Sequence, residues 1–261
     1  MKNFSYKNNK INYSDTGKGN TVMLLHGFLE NIVVWNELTE HLSKRYRVIA
    51  VDLLGHGKSD CNGYIHTMED QADMLFSLIL HLRLRKVSLI GHSMGGYIAL
   101  AFAELYPDHV RSLILLNSTA QPDSSERKIN RDRAIEVVKK NSSSFIRIAT
   151  QNLFNKEAHE KFSSEIEDFT NEALKTPLQG IVAALEGMKI RVDREALLHF
   201  SPYPKLMIAS ENDTILPIEE SRAQAKNADI TFKTVAGGHI STIEQKDEIA
   251  VIISDFLKKN G

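Results

Sequence analysis

The sequence predicts an α/β fold with a mostly parallel sheet and helices on both faces, and two observations predict it. Between residues 21 and 118, short runs rich in β-branched residues and leucine alternate with longer stretches of helical periodicity, the pattern of successive βαβ units. The runs TVMLL at 21–25, YRVIAVDL at 46–53 and KVSLI at 86–90 are near-continuously apolar, as strands covered on both faces must be.

Taken in order, residues 4–15 with Asn8 and Asn9 at their middle predict a small antiparallel hairpin. The segments 33–43, 68–82 and 94–106 carry apolar residues at i, i+3, i+4 spacing and predict crossover helices, the last ended by Pro107. VRSLILL at 110–116 is a fourth core strand. Residues 120–201 change to Ser-, Lys-, Arg- and Glu-rich text with helical periodicity, for example at 126–140 and 178–189, and predict an all-helical insertion. Alternation then resumes with a strand at 205–210, a helix at 218–226, a strand at 230–235 and one closing helix at 240–259. The expected organisation is a core of residues 1–119 and 202–261 interrupted by a helical segment at 120–201.

Composition narrows the function classes. With 42% hydrophobic residues, 32 Lys plus Arg against 33 Asp plus Glu and a formal net charge of −1, the 261-residue chain lacks the basic footprint of a nucleic-acid binder. No apolar stretch reaches the roughly 18 to 20 residues of a membrane span, so no membrane insertion is expected. The opening MKNFSYKNNKINYSD lacks the apolar region of a secretory signal, and Cys61 is the only cysteine, which together suggest a cytoplasmic protein. The sequence is silent on oligomeric state.

The chemistry-bearing residues gather where strands end. Gly91-His92-Ser93-Met94-Gly95-Gly96 lies between a strand and a helix and matches G-x-S-x-G, the nucleophile elbow. A serine in so sharp a turn needs flanks without side chains, which Gly91, Gly95 and Gly96 supply. A purely structural glycine turn is the alternative. A dinucleotide-type phosphate loop fits less well, because the glycines do not follow G-x-G-x-x-G and the unit is not the first βα turn.

Serine needs a base, and the base an orienting acid. Of ten histidines, His239 follows a strand in Gly237-Gly238-His239 and reaches the same sheet edge as Ser93. For the acid, Glu211 and Asp213 compete after the strand at 205–210; Asp213 is preferred for its D-x-x-x-P placement ahead of a helix that Pro217 can open. Two backbone N–H groups, those of Phe28 in His26-Gly27-Phe28 and of Met94, are the candidate oxyanion donors.

These motifs resemble those of the α/β-hydrolase superfamily, and the resemblance covers essentially the whole chain. The matching pieces are His26-Gly27-Phe28, the D-x-x-G-x-G-x-S turn at Asp52 to Ser59, the elbow at Ser93, Asp213 with Pro217, and Gly238-His239, in the order Ser, Asp, His described for this fold. The resemblance makes Asp52 and His56 turn residues and Trp35 a core residue, and it makes the insertion at 120–201 a lid that sets substrate choice. Relatives with aspartate at the elbow are dehalogenases and epoxide hydrolases; Ser93 argues against both. The leading expectation is a serine hydrolase of small carboxylic esters. The alternative is a C–C hydrolase or menaquinone-pathway-type lyase, which would need cations in the site from among Arg127, Arg131, Arg133, Arg147 and Lys189. A ligand-sensing protein without catalysis is a third reading. No metal and no diffusible cofactor is implied, since no H-E-x-x-H or clustered Cys/His spacing occurs.

Overall fold

The computed structural model describes residues 1–260. Its eight strands are β1 (Lys2–Tyr6), β2 (Asn9–Thr16), β3 (Thr21–Leu25), β4 (Arg47–Val51), β5 (Val87–His92), β6 (Val110–Leu116), β7 (Lys205–Ser210) and β8 (Thr231–Val235). They form one sheet in the order β1-β2-β4-β3-β5-β6-β7-β8. The β1/β2 and β2/β4 pairs are antiparallel, and every pair from β4 to β8 is parallel. The hairpin turns on Lys7 and Asn8, both at positive φ (47° and 65°), as a two-residue primed turn requires. Asn9, placed by the sequence pattern in the turn, already belongs to β2.

Alternation along each strand sends side chains to two separate cores. Met23, Leu25, Ile49, Val51, Leu89 and Leu113 pack on one face with α2 (Met68–His81) and α3 (Met94–Leu105). Val22, Leu24, Val48, Ala50, Ile90 and Ile114 pack on the other with α1 (Asn36–Leu42) and the C-terminal helix. This two-sided burial is why the strands read as unbroken apolar runs.

Between β6 and β7 the chain forms α4 (Ser125–Lys140), α5 (Ser142–Leu153), α6 (Ser163–Ala173), α7 (Leu178–Lys189) and α8 (Glu195–Phe200). After β7 come α9 (Ile218–Asn227), β8, and then α10 (Ser241–Glu244) and α11 (Lys246–Asn260) in place of one closing helix. The break is at Gln245 (φ −131°, ψ 35°), where Glu244 turns its carboxylate to the N–H groups of Gly238 and Asn155. The first crossover helix is likewise preceded by a 3₁₀ turn, Ile32–Trp35, capped by the Asn31 side chain on the Val33 N–H.

The direction of chain progression reverses at β3: β4 lies on one side of it and β5 on the other. Parallel sheets open a crevice at the carboxyl ends of the strands flanking such a reversal. The loops after β3 and β5 carry His26-Gly27-Phe28 and Ser93.

Helix α7 seats on the core through two backbone contacts. A Cβ on Gly180 would lie 2.1 Å from the Gly55 carbonyl oxygen, and one on Gly187 would lie 1.7 Å from that of His66. Helix propensity favours alanine over glycine by roughly 1 kcal/mol, but overpacking against fixed backbone costs about 1–3 kcal/mol. Gly187→Ala is therefore expected to lower stability in urea unfolding; a gain would show that α7 has room to move away from His66.

Candidate active site

Ser93 joins β5 to α3 with φ 49° and ψ −115°, a left-handed conformation that costs a non-glycine residue on the order of 1–3 kcal/mol. The surroundings hold it there. Its N–H donates to the Leu116 carbonyl (3.0 Å), and its own carbonyl accepts from the Ser118 hydroxyl (2.8 Å) and the Gly96 N–H (2.9 Å). The flanking glycines are steric necessities: a Cβ on Gly95 would sit 2.1 Å from the Leu25 carbonyl oxygen, and one on Gly91 would sit 2.4 Å from that of Gly95.

The structure brings Ser93, His239 and Asp213 together from three loops. His239 Nε2 is 2.8 Å from Ser93 Oγ, and His239 Nδ1 is 2.7 Å from Asp213 Oδ2. Asp213 is buried, whereas Glu211 is exposed, so geometry separates the two carboxylates that compete in the sequence. Asp213 Oδ1 accepts from the N–H groups of Ile215 (2.8 Å) and Leu216 (2.9 Å), and Oδ2 also accepts from Asn117 Nδ2 (2.9 Å). Burial by itself would raise its pKa; the charge and hydrogen bond of His239, with the two N–H groups, outweigh burial and hold it below the ordinary value.

Two supporting residues are absent from the motif reading. Asn117, at the end of β6 with φ 45°, also donates to Ser210 Oγ (2.8 Å) and accepts from the Ser241 hydroxyl (3.2 Å), so one amide ties the ends of β6 and β7 to the start of α10. Glu244, nearly fully buried, fixes the histidine loop through the Gly238 N–H (3.1 Å). The only sequence sign of Asn117 is a polar residue directly after an apolar strand; Glu244 gives none.

The N–H of Met94 is at the first position of α3, where no carbonyl of the helix can reach it. Phe28 lines the cavity that holds Ser93 and His239, while the Met94 side chain is packed in the core. Behind the Phe28 loop, His26 donates from Nδ1 to the Gly27 carbonyl (2.8 Å) and accepts at Nε2 from the Leu53 N–H (3.0 Å). Asp52 accepts from Ile32 N–H, Lys58 N–H and Asn12 Nδ2 at 2.8–2.9 Å and holds the turn at 52–59. His56 is buried, and burial followed by the neighbouring His26 pushes its pKa down to about 3. Trp35 is wholly buried in the second core.

The cavity above Ser93 has a volume of about 490 Å³ and is walled largely by apolar side chains of α4, α5 and α7, including Val137, Phe145, Ile148 and Met188, with Tyr97 from α3. Arg127 and Arg131 also line it. Arg131 is bound to Asp123, which pairs on its other side with Arg191 (2.6 Å), whose guanidinium lies 4.0 Å above the Tyr97 ring. The other candidate cations point elsewhere: Lys189 pairs with Asp132 and Glu186, Arg133 meets Asn130, and Arg147 lines a separate cleft with His159. A further cleft of about 360 Å³ shares Leu29 and Glu30 with this cavity but neither Ser93 nor His239. Among the described residues no group of three or more His, Cys, Asp or Glu side chains is arranged to hold a metal ion, and no helix is long and apolar enough to cross a membrane.

A doubly covered, mostly parallel sheet with a strained serine between a strand and a helix, and histidine and aspartate delivered from later strand ends, defines the α/β-hydrolase class. The chain belongs to the alpha/beta hydrolase fold family, whose model matches residues 20–246. It is similar to a thermophilic esterase from Thermogutta terrifontis, solved with malate bound: 35% identity, TM-score 0.92, with 96% of this chain and 94% of that one covered. It is 31% identical over 158 residues, 60% of this chain and 59% of the other, to an (E)-2-((N-methylformamido)methylene)succinate hydrolase of Acinetobacter baylyi. An uncharacterized protein of Mycobacterium tuberculosis is 37% identical over 102 residues, a match that spans 39% of this chain and only 30% of that protein.

The lowered pKa of Asp213 has a pH signature. Its ionised form contributes stability that is fully present above the ordinary carboxyl value of 3.8 and is lost as pH falls through the lower folded-state value. In urea unfolding, the stability margin of the wild type over Asp213→Asn should shrink as the pH is taken from 5 to below about 3; a constant margin would mean that the carboxylate's charge is not what the site holds.

Proposed function

We propose that the protein is a serine hydrolase acting on small carboxylic esters. The observation that carries this reading is the continuous hydrogen-bonded line from Ser93 Oγ through His239 to Asp213 at the floor of a largely apolar cavity. His239 takes the proton of Ser93 as the hydroxyl oxygen attacks the acyl carbon, and Asp213 holds the imidazole in the tautomer with Nδ1–H. The N–H groups of Phe28 and Met94 stabilise the oxyanion, each worth about 2.7–4 kcal/mol in comparable enzymes. Collapse of the tetrahedral intermediate breaks the ester C–O bond, and the imidazolium of His239 gives its proton to the leaving alcohol. Water, deprotonated by His239, then attacks the acyl-enzyme, and Ser93 is released with its proton restored. The helices of residues 125–200 serve as a lid whose apolar inner wall selects the acyl group. The similarity to the Thermogutta terrifontis esterase supports the same reading.

A second reading, hydrolysis of a carboxylate-bearing substrate including C–C cleavage, is favoured by one observation: Arg127 and Arg131 reach the cavity wall. The name of the Acinetobacter baylyi relative, a hydrolase of a substituted methylenesuccinate, supports the carboxylate-bearing part of this reading.

Initial rates on p-nitrophenyl acetate, butyrate, octanoate and palmitate separate the two. The ester reading expects turnover of the short chains, with Ser93→Ala reduced on the order of 10⁴- to 10⁶-fold in kcat. Undiminished turnover by Ser93→Ala would remove Ser93 from the mechanism. No turnover of any ester, together with fluorophosphonate labelling of Ser93, would transfer the assignment to the second reading.

A further inference from the structure

Directly beneath the site lies a buried pair that the proposed mechanism does not use. Glu30 Oε1 is 2.8 Å from His92 Nδ1, and the two side chains are 1% and 0% exposed. Each partner makes a second contact. Glu30 Oε2 accepts from the Gly27 N–H (2.7 Å), in the peptide immediately before the Phe28 N–H. His92 Nε2 lies 2.8 Å from the carbonyl oxygen of His239. His92 is itself the residue before Ser93.

Hydrogen-bond direction and charge bear on the state of this pair. A carbonyl oxygen only accepts, so His92 Nε2 must carry a proton. At 2.8 Å the Nδ1 and Oε1 atoms make a close ion-pair contact without the alignment of a hydrogen bond, and Nδ1 has no other partner. Burial disfavours the imidazolium, but the Glu30 carboxylate outweighs it and raises the His92 pKa; His92 in turn overrides burial and lowers that of Glu30. Both shifts and the 2.8 Å contact favour the charged arrangement, a carboxylate facing an imidazolium. The other titratable groups facing it are His26, Asp213 and the ring of His239, whose centroid is 5.1 Å from that of His92. The fit is close: a Cβ on Gly27 would be 2.4 Å from Glu30 Oε1 and 3.0 Å from His92 Nδ1.

We propose that Glu30 and His92 form a positioning pair that aligns the Phe28 N–H and the main chain of His239 on Ser93, acting through hydrogen bonds to Gly27 and His239. It rests on the reading of Ser93 as nucleophile and His239 as base. Glu30 borders the cavity, but its carboxylate is buried and turned to Gly27 and His92. The pair ties the oxyanion loop, the elbow and the histidine loop together, so that a displacement of one is felt by the other two.

Two variants and one spectroscopic measurement test it. In Glu30→Gln the amide oxygen can accept from Gly27 and the amide nitrogen can donate to a neutral His92, which keeps its Nε2–H on His239; every hydrogen bond survives and only the charges go. Glu30→Ala leaves the Gly27 N–H without its acceptor. With p-nitrophenyl butyrate, Glu30→Ala should lose about 10²-fold in kcat with KM within about threefold, and fluorophosphonate should label Ser93 correspondingly more slowly. Glu30→Gln should stay within about fivefold of the wild type in both. A folded Glu30→Ala with wild-type kcat, or a folded Glu30→Gln as impaired as Glu30→Ala, would overturn the positioning role. If Glu30→Ala does not fold, ¹⁵N NMR titration still decides: the doubly protonated His92 ring should persist to higher pH in the wild type than in Glu30→Gln, which removes the facing charge. The same His92 titration in both proteins would overturn the pair. Should Ser93→Ala retain activity, the underlying reading fails, whatever Glu30 does.

Discussion

The left-handed backbone of Ser93 is the constraint on which the rest of the structure depends. A residue held at φ 49° stays there only if its neighbours over-determine it. Here they do so by proximity: β3, β5 and the start of α3 approach so closely that Gly91 and Gly95 have no room for a methyl group. That approach fixes where α3 begins, with Met94 at its first position. It also brings the β3 loop, with His26-Gly27-Phe28, to the same edge as Ser93. The reversal of strand order at β3 makes the crevice, and the strained turn puts a hydroxyl in it.

Around this turn the protein buries several carboxylates, and each is met by at least one backbone N–H. Asp213 accepts from Ile215 and Leu216, Glu30 from Gly27, Glu244 from Gly238 and Asn155, and Asp52 from Ile32 and Lys58. A buried charge without such partners would be costly enough to neutralise itself. Because the partners belong to different loops, the carboxylates also act as pins that hold the loops in mutual register. Asn117 does the same work as a neutral group, linking Ser210, Asp213 and Ser241 at the end of β6.

The segment between β6 and β7 differs from the core in how it is held. Two glycines of α7 allow it to sit backbone to backbone on the loops at Gly55 and His66, while its inner side chains close the cavity. At one end of that cavity Asp123 is shared by Arg131 and Arg191, so a single carboxylate faces two cations next to Tyr97. The cavity lining thus joins an apolar wall to Arg127 and Arg131.

Much of this protein was determined by its sequence alone. Core strands β3 and β6, helix α7 and strand β7 coincide with their apolar patterns, because strands buried on both faces and an amphipathic helix leave periodic signatures that tertiary context does not override. The serine elbow was legible because its chemistry and its sterics demand the same glycines, and Asp213 and His239 because strand ends point to one edge. Tertiary structure decided the rest. It separated Asp213 from Glu211 by burial, broke the closing helix at Gln245 so that Glu244 could reach Gly238, and brought Arg127 and Arg131 to the cavity while turning Arg133, Arg147 and Lys189 away. It also made partners of Glu30 and His92, which stand far apart in the chain. The physical reason is common to all of these: local periodicity records which face of an element is buried, whereas the partner of a polar side chain is fixed only when distant loops meet.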